Sequence, residues 1–478
     1  MFAGVPTAMV AKDDAARKHA PFHLSAKELR MSDFHERDAA PRRARQATRS
    51  ERPARVRALR GLAVSVTAIA VLSGTAGTAH AALPPGNAAQ QWDQIAQDTV
   101  VGSGAFQGEG FVYMASVAKA MHGAVSPGER RGQSADAAVA ESAYRVLVHY
   151  FPAKEADLTA LHDEALAAIP AGPAKRNGIA YGGLAAAKLL RERVDDGLQT
   201  PIASTSPFPT LPPSPGVWRL TPSAYAAPQT PWMANVRPFG ITRADQFQPA
   251  APPSLSSPQW VAAFNETKSL GSATSTTRTD EQKQTALFWT ANVVRQYNGL
   301  ARGTATKLGL DVPQTARLLA MINEVGADAM IAMMNAKYHF LFWRPVTAID
   351  ATSVTNDDFG PTPGFDDGNP ATVEQPGWRP LVTTPNHPEY PSAHATISSA
   401  IVEVLTRFLG TDAIDVDVQG QPALNETRHF ATADDLRAEV GNARVWGGLH
   451  YRFSVQAGSA LGRAVADYDL NHGCGARH

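Results

Sequence analysis

The chain has 478 residues, 44% of them apolar, with 44 basic and 44 acidic side chains and one cysteine. That length exceeds one small core, and the lone Cys474 excludes an internal disulfide framework. The balanced charge gives no support to a general nucleic-acid binder.

Residues 1–60 carry 14 Lys/Arg against 7 Asp/Glu, and Leu62–Ser73 is then an uncharged apolar stretch followed by Ala79-His80-Ala81. A basic leader, a short apolar segment and an A-x-A site read as a secretory signal peptide cut after Ala81. The apolar run is shorter than the roughly 20 residues that a spanning helix needs. Residues 1–81 are therefore expected to be an N-terminal extension with a cleaved signal, and the rest to be exported to the periplasm or the medium. Without the leader's charges the chain keeps 30 basic and 37 acidic residues, a net charge of −7. Neither nucleic acid nor membrane is expected as a partner of the mature form, and any anion site has to be a local concentration of positive charge.

Residues 82–200 are Ala-rich with apolar residues at helical spacing, as in Phe111-Val-Tyr-Met-Ala-Ser-Val-Ala-Lys-Ala-Met-His122. They predict an N-terminal helical bundle. No Gly-x-Gly-x-x-Gly follows a strand pattern, so a dinucleotide fold has no support. Residues 201–278 are rich in proline, from Pro201 to Pro253, and such a run holds neither a helix nor a central strand. It reads as a segment wrapping over the surface, tied down by Trp218, Trp232 and Phe239.

Residues 279–478 predict a second helical bundle, which opens on the Thr279-Asp-Glu-Gln282 capping box. A long, mostly buried helix from Asp311-Val-Pro313 delivers Lys337 and then Arg344-Pro345. These two cations are seven residues apart, two helical turns, a spacing that puts both on one face. His339 between them is expected to pack rather than to act. After a Gly/Pro/Asp-rich loop, Pro391-Ser392-Ala393-His394 opens a helix with Ser392 as its cap and Gly410 as its end. The amides of its first turn are donors at the positive end of the helix dipole. Near the C-terminus, Arg444-Val-Trp-Gly-Gly-Leu-His450 adds an arginine and a histidine around a flexible Gly-Gly step. Two arginines, a lysine, a hydroxyl, helix-start amides and two histidines suit a tetrahedral oxyanion.

Lys-x6-Arg-Pro, then Pro-Ser-x-His, then Arg-x5-His resembles the three-part signature shared by vanadium-dependent haloperoxidases, type-2 phosphatidic acid phosphatases and bacterial class A acid phosphatases. Arg278-Thr-Asp-Glu-Gln282, Phe288-Trp289, Trp343 and His387-Pro-Glu-Tyr-Pro-Ser392 are similar to the haloperoxidase branch, across about residues 87–467. The resemblance implies an all-α fold of two helical bundles, the second holding the anion site. It implies vanadate as cofactor, with phosphate able to occupy the same site. Lys337, Arg344 and Arg444 would bind the equatorial oxygens with the Ser392 hydroxyl and the Ala393 amide. His450 would be the metal ligand, and His394 the acid–base group. His387 stands where bromoperoxidases of the family carry His and chloroperoxidases Phe, and Trp343 is expected to wall the cage; both bear on the halide.

The implied activity is oxidation of halide, bromide favoured, by hydrogen peroxide to hypohalous acid, which then reacts with a small organic acceptor. Two alternatives stay open: an acid phosphatase acting through phosphohistidine at His450, and a non-catalytic oxyanion-binding protein. The chain departs from the family's pattern at Ala393, where Gly is usual, at Ala443, where Ser is usual, and at Ser454, where an Asp often follows four residues after the ligand histidine. Loss of that carboxylate would alter the basicity or orientation of His450.

Overall fold

A computed structural model describes residues 82–126, 132–199, 214–350, 355–357, 360–362 and 366–473. All of these lie in the unit Gly77–His478. The segment expected to be a signal peptide, Cys474 and Pro201–Pro213 fall outside the described residues.

Thirteen α-helices carry the architecture among the described residues: α1 Ala88–Gly102, α2 Gln107–Val125, α3 Ala135–Tyr150, α4 Glu155–Ala167, α5 Pro173–Glu192, α6 Pro258–Leu270, α7 Asp280–Phe288, α8 Val293–Lys307, α9 Val312–Phe340, α10 Pro345–Ile349, α11 Ala393–Leu409, α12 Ala433–Trp446 and α13 Arg452–His472. Two antiparallel ladders are the only strands there, β1 Thr355–Asp357 with β2 Gly360–Thr362 and β3 Val416–Gln419 with β4 Thr427–Phe430. The fold is thus all-α with two small ribbons. No described helix is long and apolar enough to cross a membrane.

The helix starts follow from local chemistry. Thr279 accepts from the Gln282 amide and Gln282 reaches back to Thr279, closing a capping box on α7. Asp311 and Gln314 do the same for α9, with Pro313 in its first turn. Helix α9 is buried almost all round, so its apolar residues face neighbours on every side. One apolar cluster runs through α1, α2, α3, α8, α9, α11 and α13.

Small residues set the closest helix approaches. A Cβ on Gly462 of α13 would lie 2.1 Å from the Thr396 carbonyl of α11, and one on Gly458 would lie 2.6 Å from the Ser392 carbonyl. The two helices therefore meet backbone to backbone, directly behind the start of α11. The described part of the proline-rich segment is anchored as well. Trp218 is buried, Trp232 and Phe239 pack on the main cluster, and the amides of Phe239, Gly240 and Ile241 donate to the Asp328 carboxylate of α9 at 2.6–2.9 Å. A second, aromatic cluster of Trp260, Phe342, Trp343, Trp378, Tyr390, Tyr451 and Phe453 adjoins the residues of interest.

Candidate active site

Lys337 lies in the last turn of α9 and Arg344 does not follow it on the same helix. Leu341 takes a left-handed conformation at φ 48° and ends α9, and Arg344 is the N-cap of α10. The helical-face expectation is therefore corrected. The turn through Leu341, whose amide donates to the Lys337 carbonyl at 2.9 Å, brings the two cations together. Both are buried, and the charge of Arg344 acts on Lys337.

Both cations hold the loop ahead of α11. Lys337 Nζ donates to the Pro388 and Glu389 carbonyls at 2.8 and 2.9 Å. Arg344 Nε donates to the His387 carbonyl at 2.9 Å and Nη1 to the Leu449 carbonyl at 2.9 Å. Its Nη2 lies 3.0 Å from His387 Nδ1 and its Nη1 3.3 Å from His450 Nε2. A guanidinium only donates, so His450 Nε2 accepts and its Nδ1 keeps the hydrogen. His387 Nδ1 also lies 3.2 Å from the Pro388 carbonyl, so a donor and an acceptor both face that nitrogen.

The His450 Nδ1–H points at Glu389 Oε1, 2.8 Å away, and the same oxygen accepts the Tyr451 amide at 3.1 Å. Glu389 is the functional residue that sequence reasoning missed. It sits inside a quoted motif, yet its partners are 61 and 62 residues further along. The worry attached to Ser454 is answered in part, because a carboxylate does face His450, from another element.

Ser392 occupies the N-cap position of α11 by backbone conformation, but its side chain caps nothing. This corrects the expected Ser cap. Its amide donates to the Ser454 carbonyl at 3.1 Å, and its Oγ is buried without a hydrogen-bond partner. His394 Nε2 and Arg444 Nε are likewise buried and unpartnered. Arg444 Nη1 donates to the Trp289 carbonyl at 2.9 Å, and the last motif meets the other two where Arg344 donates to the Leu449 carbonyl and Arg444's charge acts on His394. Ala393 is the first residue of α11, where an amide has no acceptor within the helix.

His394 is half-buried, whereas Lys337, Arg344, Ser392, Arg444 and His450 are buried, so His394 reaches furthest toward solvent. His387 is buried with Phe106, the residue before α2, 6.1 Å from its ring. Trp343 stacks on Trp260 at 5.9 Å within the aromatic cluster that also holds Tyr451, so it backs the site through that cluster. His339 is exposed, edge-on to Phe340, and takes no part.

Burial dominates the electrostatics. It lowers Lys337 well below the ordinary lysine range, with Arg344 adding to the effect, and brings Arg344 to about 10 and Arg444 to about 9. It holds His387, His394 and His450 neutral, helped by the surrounding cations. Glu389 is raised to about 7 by burial, against the pull of Lys337 and Arg344. A lysine and two arginines thus surround one carboxyl group in a buried site, where burial opposes their charge and a bound anion would favour it.

An all-helical protein with a buried cationic cage at the start of one helix is the class that these elements define. A family model described as the VCPO second helical-bundle domain matches residues 317–473. The vanadium chloroperoxidase of Curvularia inaequalis is 27% identical over 237 residues, 38% of this chain and 38% of that protein. The match thus spans well under half the length of that curated relative. Among solved structures, the first bacterial vanadium-dependent iodoperoxidase superposes with a TM-score of 0.66 at 22% identity, covering 82% of this chain and 98% of that one. A holo-type bacterial vanadium-dependent chloroperoxidase gives 0.59 at 17% identity, covering 78% and 91%. Residues 317–473 thus match the second helical-bundle domain of the vanadium chloroperoxidases, and the fold is that of the bacterial vanadium haloperoxidases.

The family implies vanadate as cofactor, and the residues present fit it. Three buried cations offer charge, and the orphaned Ser392 Oγ, His394 Nε2 and Arg444 Nε offer polar atoms that lack a protein partner. His450 Nε2 lies 3.3 Å from Arg344 Nη1, at the edge of the same cationic group.

Proposed function

We propose that this protein is a vanadate-dependent haloperoxidase that oxidises bromide with hydrogen peroxide to hypobromous acid, which then halogenates a small organic acceptor. The observation that carries the reading is the set of orphaned polar atoms among three buried cations and two histidines. Buried polar groups in folded proteins are nearly always satisfied, so a cluster of unsatisfied ones marks where a ligand completes the structure.

In this reading Lys337, Arg344 and Arg444 neutralise and orient the oxyanion, and the Ser392 hydroxyl and Ala393 amide donate to its oxygens. His450 ligates the metal through Nε2. Bound vanadate supplies the Lewis acid that activates peroxide toward halide. His394, kept neutral by burial and by Arg444, would hold and move a proton at Nε2 beside the bound group. His387, beside Arg344 and with Phe106 as its apolar neighbour, is the residue that bears on the halide, and a histidine there favours bromide. Export with cleavage after Ala81 belongs to the same proposal.

Bromination of a diketone probe tests it. Protein loaded with orthovanadate is expected to brominate in bromide and peroxide, phosphate to compete, and His450→Ala to lose both vanadate binding and turnover. The relatives named above are a chloroperoxidase and an iodoperoxidase, so chloride and iodide are run beside bromide. Stoichiometric vanadate binding without halogenation, together with phosphomonoester turnover by the vanadate-free protein, would overturn the reading in favour of an acid phosphatase using the same cage. Tight binding without either turnover would point to an oxyanion-binding protein.

A further inference from the structure

The N-terminus of α13 is built unusually. Tyr451 is its N-cap residue and Ser454 its third helical residue. At that third position an acidic or amide side chain commonly reaches back to the N-cap amide, the second half of a capping box. Ser454 is too short to do so, and its hydroxyl lies 3.5 Å from the Glu389 carbonyl instead. The Tyr451 amide goes to Glu389 Oε1, and the oxygen that takes it also takes His450 Nδ1–H. A carboxylate from the loop before α11 thus stands where a carboxylate at position 454 would close the box.

Glu389 is well placed to hold that position. It is fully buried, its amide donates to the Phe342 carbonyl at 2.9 Å, and its own carbonyl accepts Lys337 Nζ. The Ser454 carbonyl, in turn, receives the Ser392 amide. One short segment therefore ties α9, α11 and α13 together around His450.

We propose that Glu389 is the positioning residue of His450, fixing its Nδ1–H tautomer and ring plane so that the Nε2 lone pair faces the cationic cage, in the role that a carboxylate at position 454 would otherwise fill. The inference rests on the vanadate reading for its effect on affinity, though not for the tautomer. A metal-bound imidazole takes its orientation and basicity from the acceptor on its other nitrogen, and loss of such an acceptor commonly weakens metal binding about 10- to 100-fold.

Two measurements test it on the full chain, with thermal unfolding as the folding check. Nitrogen NMR of the His450 ring in vanadate-free protein is expected to show Nδ1–H in the parent and, with only the longer Arg344 Nη1 contact left to hold Nε2, a measurable share of the other tautomer in Glu389→Ala. Orthovanadate titration followed by calorimetry and vanadium NMR is expected to give a Kd about 10- to 100-fold weaker in Glu389→Gln. Adding Ser454→Asp to Glu389→Gln is expected to recover at least part of that loss. A Glu389→Gln protein that binds vanadate as tightly as the parent, or a double variant no better than the single one, would overturn the exchange of positions. An unchanged tautomer in Glu389→Ala would overturn the positioning role itself. A parent that binds no vanadate would count against the proposed cofactor, and the tautomer measurement would still decide the role of Glu389.

Discussion

A buried hydroxyl without a partner costs a folded protein free energy, and Ser392 carries one. Ser392→Ala removes that orphan, so Tm without vanadate is expected to stay level or rise slightly. The same change deletes a donor to an anionic ligand, a charge-assisted hydrogen bond of about 1.5–3 kcal/mol, so vanadate affinity is expected to fall at least about tenfold. Paired melting and titration curves check both signs, and a lower Tm in the variant would show that the hydroxyl has a structural partner. The three spaced motifs were legible because each places a charged or ring side chain at a fixed offset from a helix end. Glu389 was not, because a glutamate in a loop has no periodic context and both of its partners lie beyond α11. Nor was the orphan state of Ser392, since a serine before a helix reads as a cap until its rotamer is seen.

Between elements, the approach of α11 to α13 is the contact on which both histidines depend. His394 rides on the first turn of α11 and His450 precedes α13. Gly462→Ala would push a methyl into the Thr396 carbonyl, an overlap that backbone has to absorb. A loss of about 1–3 kcal/mol is expected, read as a lower Tm, with vanadate binding weakened as the two helices part. Gly303→Ala in α8 is the contrasting case, since nothing lies within 4 Å of the added carbon. There a gain of about 0.5–1 kcal/mol is expected from helix propensity, and a destabilised variant would contradict it. Helix existence and the capping box at Thr279 could be read from periodicity and cap chemistry. The break at Leu341 could not, because a leucine in the left-handed region is dictated by tertiary packing and not by its own preference.

At the scale of the molecule, a buried acid pair couples stability to pH. Asp328 accepts three backbone amides, which favours its anion, while burial and the neighbouring Asp328 push Asp469 up to about 10. Glu324 and Lys119 face the pair from α9 and α2. Asp469 therefore keeps its proton in the folded state and loses it near its ordinary value of 3.8 when unfolded. The unfolded chain binds fewer protons between those values, so this group's contribution is complete below about pH 4 and declines as pH rises toward 10. Asp469→Asn removes the slope, and its Tm is expected to gain on the parent steadily from pH 5 to pH 9. A difference that does not change with pH would rule out the shared proton.

The burial of α9 on all sides has one more consequence, for attempts to excise or graft the catalytic half. The matched family region begins at residue 317, inside α9, and leaves out α1, α2 and the Asp311 cap. Phe111 of α2 presses against Gly326, where an added Cβ would lie 2.8 Å from its ring. A fragment cut at that boundary would bare an apolar flank along the helix that presents Lys337, and such flanks associate rather than fold. The candidate site is thus a property of the joined helices, and transplanting it means transplanting the N-terminal helices that keep α9 dry.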